Sequence, residues 1–230
     1  MIYVENNKKK EATLLKKYPN AIIADVTSKA TTGLVKLSPF YPHGDIPVPF
    51  SEGYTAKCVE GIWQGLKVFE GADIDISLFK NDTMKDIKRT VRKYGKPLGH
   101  RKGVYGKELL NYLEARFQIY LPSYKWILEN KVKDIINKLA EASKDKDIVL
   151  LDYETNCDVF DTRKPLSHAG LIKAYVEKNF PEESSIYNYK TNSTVNTANE
   201  PTSELKKKRT SPKSKKKVKS DSNAIQTKLF

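Results

Sequence analysis

Glu60, Gln64 and Lys67 stand at spacings of four and three in the stretch Val59 to Glu70, VEGIWQGLKVFE. Helical periodicity predicts one helix here, with Val59, Ile62, Leu66 and Phe69 on one side and the three polar residues nearly opposite. A carboxylate such as Glu60 can stabilise developing positive charge or position an attacking water, and Lys67 is an amine nucleophile once burial lowers its pKa. The same pattern fits a solvated helix side, with Lys67 and Glu70 as an i, i+3 pair worth roughly 0.2–0.5 kcal/mol. Two features favour contact with a ligand or neighbour. Trp63 beside the polar face is wasteful in water, and Gly61 and Gly65 each cost about 1 kcal/mol relative to alanine in a helix interior.

The elements that must position these groups fill residues 1–180, which read as one helix-dominated α+β domain without an internal repeat. Ala21 to Ser28, AIIADVTS, and Asp147 to Asp152, DIVLLD, are apolar runs that predict buried strands, the second central. Gly33 to Ser38 predicts another short strand. Phe40 to Gly53 contains Pro42, Pro47 and Pro49 and predicts a stiff loop. Thr83 to Tyr94 reads as a basic helix and Gly95 to Gly103 as a glycine-bearing loop. Lys107 to Tyr120 and Ser123 to Ala142 read as two amphipathic helices separated at Pro122, and Pro165 to Lys178 as a closing helix.

The chain of 230 residues has a net charge of +13, which points to a polyanionic partner. No apolar run approaches the ~18 residues of a membrane span, and the first residues lack a signal-peptide layout, so a location inside a cell and no membrane partner are expected. Cys58, Cys157, His43, His100 and His168 show no metal-ligand spacing, which argues against a structural zinc or a disulfide scaffold. No metal or cofactor is expected.

Beyond residue 180 the composition turns to Asn, Ser, Thr, Lys and Pro. Residues 181–204 read as a flexible linker and 205–230 as a basic, extended tail, with nine Lys or Arg between Lys206 and Lys219. Such a block suits nucleic acid, DNA in preference, although a purely solubilising tail has the same composition. The chain ends in QTKLF. Gln226, Leu229 and Phe230 are similar to the short Q-x-x-L-F peptide that docks bacterial and phage proteins on the DNA sliding clamp: a glutamine for a polar pocket mouth, an apolar pair for the pocket, and a flexible tether.

Leu37-Ser38-Pro39-Phe40-Tyr41-Pro42, followed by Val59-Glu60, Gln64 and Lys67, resembles the signature of the NADAR superfamily, an LSNFYP-like segment preceding S-V-E-x-x-x-Q-x-x-K. SPFYPHGDIPVP, EGIWQGLKVFE and KRTVRKYGKPLGHR are similar to an uncharacterised bacterial and phage branch related to it. Cys58 and Pro39 depart from the pattern, which has a small hydroxyl residue and an asparagine there.

The resemblance implies an NADAR-like fold and N-glycosidase chemistry, cleavage of the bond between a ribose anomeric carbon and a nitrogen. It implies catalytic roles for Glu60 and Lys67 and a late acidic residue, matched best by Asp158, with Asp152 nearby at a strand end; the Trp-Gly motif that accompanies that acid in the family is absent. Phe40, Tyr41, Trp63, Gln64 and Asp152 are then expected to hold the sugar or base, and Lys88, Arg89, Arg92, His100 and Arg101 a phosphate. A modified or ADP-ribosylated base in nucleic acid is the expected substrate, with free nucleotides as the alternative. A silent adaptor binding DNA and the clamp is the rival from another class.

Overall fold

The computed structural model describes residues 1–186, centred on a three-stranded parallel sheet. Strand β1 (Ile2–Asn6) leads through α1 (Glu11–Lys17) to β2 (Ile22–Asp25), and a 3-10 helix spans Gly33–Leu37. Strands β3 (Ile46–Pro47) and β4 (Thr55–Ala56) form a small hairpin before α2 (Val59–Gly65). Strand β5 (Lys67–Phe69), a second 3-10 helix (Ile76–Lys80), α3 (Val91–Tyr94), β6 (Pro97–Arg101) and β7 (Leu109–Leu110) follow. Next come α4 (Tyr112–Ala115), a π-helical turn (Arg116–Tyr120), α5 (Leu121–Asn130), α6 (Lys133–Asp145), β8 (Ile148–Asp152) and α7 (His168–Val176). The linker beyond residue 186, the basic tail and Gln226, Leu229 and Phe230 lie outside the described residues. Ile186, past the expected boundary at 180, is buried against the core.

The expected central strand is central. β8 pairs in parallel with both β1 and β2, and Ile148, Val149 and Leu150 are fully buried, as a strand covered on both faces requires. β1 and the short β5–β6–β7 antiparallel sheet had no counterpart in the sequence-based expectation.

Five expected elements are corrected. Gly33 to Ser38 is a 3-10 turn: the Thr32 hydroxyl caps it by accepting from Leu34 N, and Leu34 and Leu37, three apart, both point into the core. The VEGIWQGLKVFE helix stops at Gly65, because Gly65 O accepts from Asp75 N at 2.7 Å and Leu66 O from Arg101 N at 2.8 Å. Lys67 to Phe69 then pair with β6, so Gly95 to Gly103 is partly strand. Thr83 to Tyr94 is helical only in its last four residues. Met84 and Asp86 adopt left-handed φ of 58° and 56°, which interrupts any helix. Finally, Pro122 separates nothing. The chain is helical from Tyr112 to Asn130 because the π turn lets Leu121 N reach back to Arg116 O, putting Pro122, which has no N–H to give, in the first turn of α5. The break falls at Lys131 and Val132 instead.

The two glycines of α2 serve close packing. A Cβ on Gly61 would stand 2.6 Å from Leu78 O, and one on Gly65 would stand 2.5 Å from the Phe79 ring, so the helix lies directly against the second 3-10 helix. Gly65→Ala is therefore expected to destabilise the protein by about 2 kcal/mol through overpacking, read from chemical unfolding. Gly33→Ala, with no atom within 4 Å of the added methyl, is the control that stays near the parent value.

Candidate active site

α2 begins on Cys58, whose buried thiol accepts from Gly61 N at 3.2 Å in the manner of a hydroxyl cap. Burial pushes that thiol up to about 11, so it stays protonated. The first turn is docked on the proline-rich loop by Glu60 N donating to Pro39 O at 2.9 Å. Glu60 and Gln64 consequently point into a cavity of about 350 Å³ between α2, the helix from Tyr112 to Asn130, and the C-terminal end of β8. Openings at the carboxyl ends of parallel strands are common ligand sites.

Glu60 is buried and its Oε1 accepts from Gln64 Nε2 at 2.9 Å. Gln64 Oε1 in turn accepts from Arg89 N at 3.2 Å. Both ends of that amide are therefore committed to orienting the carboxyl. Burial raises the Glu60 pKa, opposed in part by Gln64 and by the charges of Lys88 and Lys67. Lys67 lines the cavity from β5 and not from the helix face. Its own burial lowers its pKa against the attraction of Glu60, with Arg89 and Lys88 adding repulsion. The two shifts run toward each other, and both favour the uncharged forms.

The opposite wall carries Asp152, at the end of β8. Its Oδ2 accepts from Ser167 Oγ at 2.7 Å and faces His168 Nδ1 at 3.0 Å, while His168 Nε2 stands 2.7 Å from Val26 O. Both imidazole nitrogens thus face oxygen acceptors, which calls for the doubly protonated ring. Burial works against both charges, but their mutual bonding prevails: Asp152 is held below, and His168 above, its ordinary value.

Tyr112, Arg116 and Tyr120 make the floor. The Arg116 guanidinium is 2% exposed and donates to Val159 O at 2.8 Å, Asp161 O at 2.9 Å and Lys164 O at 2.5 Å, fixing the loop that carries Pro165 and Leu166 to the cavity. Burial, and after it the charges of Glu60 and Asp152, holds the Tyr120 hydroxyl far above its usual pKa, so it is a donor at every physiological pH.

Of the residues expected at the site, Phe40, Glu60, Trp63, Gln64, Lys67, Lys88 and Asp152 meet in this one cavity. Tyr41, Arg89, Arg101, Asp158 and His100 do not line it. Tyr41 packs on His43 with centroids 4.8 Å apart. Arg89 is not a phosphate ligand: its Nη1 donates to Lys67 O at 2.6 Å, its Nη2 to Asp73 O at 2.7 Å, and it lies between the rings of Phe69 and Tyr94. Arg101 is engaged by Asp73 at 2.6 Å. Asp158 caps a surface turn, accepting from Phe160 N at 2.8 Å, so Asp152 is the late carboxylate that reaches the cavity. His100 is buried beneath Trp63 with centroids 3.8 Å apart, and burial, with the Lys67 charge behind it, pushes it down to about 3. It is a neutral packing residue. Arg116, Tyr112, Tyr120 and His168 were not anticipated. The signal for the first three is Tyr112, Arg116, Tyr120 and Tyr124 at a strict spacing of four, one helix face that is too polar for an ordinary core stripe; His168 had no such signal.

Fold and cavity together define a mixed α/β domain with a pocket lined by both the Glu60 carboxyl and the Lys67 amine. The chain matches the model of a family of unknown function, DUF6939, over residues 6–172 and belongs to that family. No curated protein and no solved structure matches it. Among the described residues no group of His, Cys, Asp and Glu could hold a metal ion, and no helix is long and apolar enough to cross a membrane.

The buried ionisable groups lead to two expectations. Glu60 resists losing its proton in the folded protein, whereas the unfolded chain loses it near 4.5, so above that pH the group favours unfolding. Glu60→Gln is expected to raise the melting temperature at pH 7, with the gap closing as pH falls below about 4.5. His168 shifts stability in the same pH direction, here as a stabilising contribution: its raised pKa gives stability that is complete below about 6.5 and is lost as pH rises through the folded value. His168→Ala leaves the Asp152 charge buried and unpaired, and is expected to cost on the order of 3–5 kcal/mol in chemical unfolding at pH 6, less at higher pH.

Proposed function

We propose that this protein is an N-glycosidase with an NADAR-like domain, acting on a modified or ADP-ribosylated base in nucleic acid. The observation that supports it best is the pairing of Glu60 and Lys67 at one cavity, each driven by burial toward its uncharged form. The likeness of Leu37 to Lys67 to the NADAR signature points to the same two side chains.

In this reading the neutral Lys67 amine attacks the anomeric carbon, and the carbon–nitrogen bond breaks with its electron pair leaving on the base. The base nitrogen takes the Glu60 proton. The Glu60 carboxylate then recovers a proton from the new lysine–sugar ammonium. It passes that proton to the ring oxygen as the sugar opens to a Schiff base, which water hydrolyses to free Lys67. Trp63 and Phe40 offer apolar faces to the base, the Tyr120 hydroxyl donates to the sugar, and Gln64 keeps the carboxyl aimed. A base in a duplex must be extruded to enter. The basic segment after Lys206 and the terminal Gln226, Leu229 and Phe230 bring the domain to DNA and its sliding clamp.

The test is mass spectrometry of bases released from ADP-ribosylated, hypermodified and plain DNAs, with borohydride added to trap a lysine–sugar adduct. Release is expected to fall at least ~100-fold in Glu60→Gln and Lys67→Ala, as removal of a general acid or nucleophile does, and the adduct is expected at Lys67. Full release by both variants refutes the assignment.

A further inference from the structure

Lys88 reaches the cavity from a segment that is rich in cations. Between Lys85 and Lys96 stand Lys85, Lys88, Arg89, Arg92, Lys93 and Lys96 against the single acid Asp86. Arg89 is turned inward and consumed by backbone carbonyls. The other five are exposed, and among the described residues none of them makes an ion pair. Their basic neighbours differ: Arg101 is paired with Asp73 and Lys102 with Glu108.

The segment is held by its inward residues. Ile87 is 1% exposed, Arg89 is anchored as described, and Asn81 Nδ2 donates to Lys85 O at 2.9 Å. The outward cations therefore ride on a pinned backbone. Lys88 Nζ lies 5.5 Å from the centre of the Phe40 ring, and both residues line the cavity. Val91, 61% exposed, lies among the cations and gives an apolar surface for a sugar or base. One phosphate at the cavity mouth needs only Lys88. Five unpaired charges along one pinned segment suit a ligand that repeats its negative charge at short intervals, and a phosphodiester backbone does so.

We infer that the exposed cations of residues 85–96 form a phosphate track that guides a single DNA strand across the domain and sets one nucleotide at the cavity beside Lys88. The chemistry at the end of the track rests on the glycosidase reading; the track itself is a binding surface. It keeps Lys88 and Arg92 as phosphate contacts and replaces Arg89, His100 and Arg101 with Lys85, Lys93 and Lys96.

The experiment measures binding of a single-stranded DNA oligonucleotide to the full chain by fluorescence anisotropy over a salt series. Arg92→Gln, Lys93→Gln and Lys96→Gln together remove three phosphate contacts, which lowers the slope of log affinity against log salt by about 2. Arg92→Lys, Lys93→Arg and Lys96→Arg together keep the charges and keep the parent slope. Residues beyond 186 are common to every protein compared, so the difference belongs to the track. An unchanged slope in the glutamine variant, with its fold intact by circular dichroism, overturns the track. If that variant loses its fold, Arg92→Gln alone decides the matter, with an expected decrease of roughly 0.7. Failure of the glycosidase reading looks different: a reduced slope in the variant with no base released by the parent protein keeps the track and removes the chemistry. Base released from DNA with the parent slope in the variant does the reverse.

Discussion

A carboxyl group taken out of water must be held by fixed dipoles or it will reorganise its surroundings to reach solvent. Glu60 is the group on which this structure turns. Its carboxyl is aimed by Gln64, Gln64 is fixed by the backbone of Arg89, and Arg89 is caged by the carbonyls of Lys67 and Asp73 between two aromatic rings. Each member immobilises the next, so a carboxyl that is unfavourable for stability is kept in one orientation.

The same chain of contacts explains local geometry that otherwise looks irregular. Arg89 holds Lys67 O and Asp73 O at once, which ties β5 to the segment before α3. Gly61 and Gly65 let α2 lie against the 76–80 turn at a separation no other residue permits. On the far side, Asp152 and His168 join the end of β8 to the start of α7 and to Val26, so the second wall of the cavity is built from the central sheet itself. A π turn then sets Arg116 and Tyr120 on the floor, the kind of interruption that recurs at functional sites.

Much of this was legible in residue types. Glu60, Trp63, Gln64 and Lys67 identified themselves by spacing, the strand DIVLLD by its unbroken apolar run, Phe40 by its likeness to a known signature, and Lys88 by its place in a basic run. The polar face of VEGIWQGLKVFE does meet a cavity, although Lys67 arrives there from a strand. Arg89 and Asp158 misled for opposite reasons. An arginine in a basic run looks like a phosphate ligand until its carbonyl cage is seen, and an aspartate that matches a family's late acid looks catalytic until its turn is seen to be at the surface.

The sequence by itself determined what local rules govern: the buried central strand, the polar residues of α2, the basic surplus and the change of composition after residue 180. Those follow from hydrophobic periodicity and charge, which act over a few residues. Tertiary structure alone decided where α2 ends, that Pro122 lies within one continuous helix, that Asp152 and not Asp158 faces Glu60's cavity, and which cations stay unpaired. Each of these depends on partners tens of residues distant, such as Asp75 for Gly65 and Val159 for Arg116, and no periodicity within a short window encodes a partner that far along the chain.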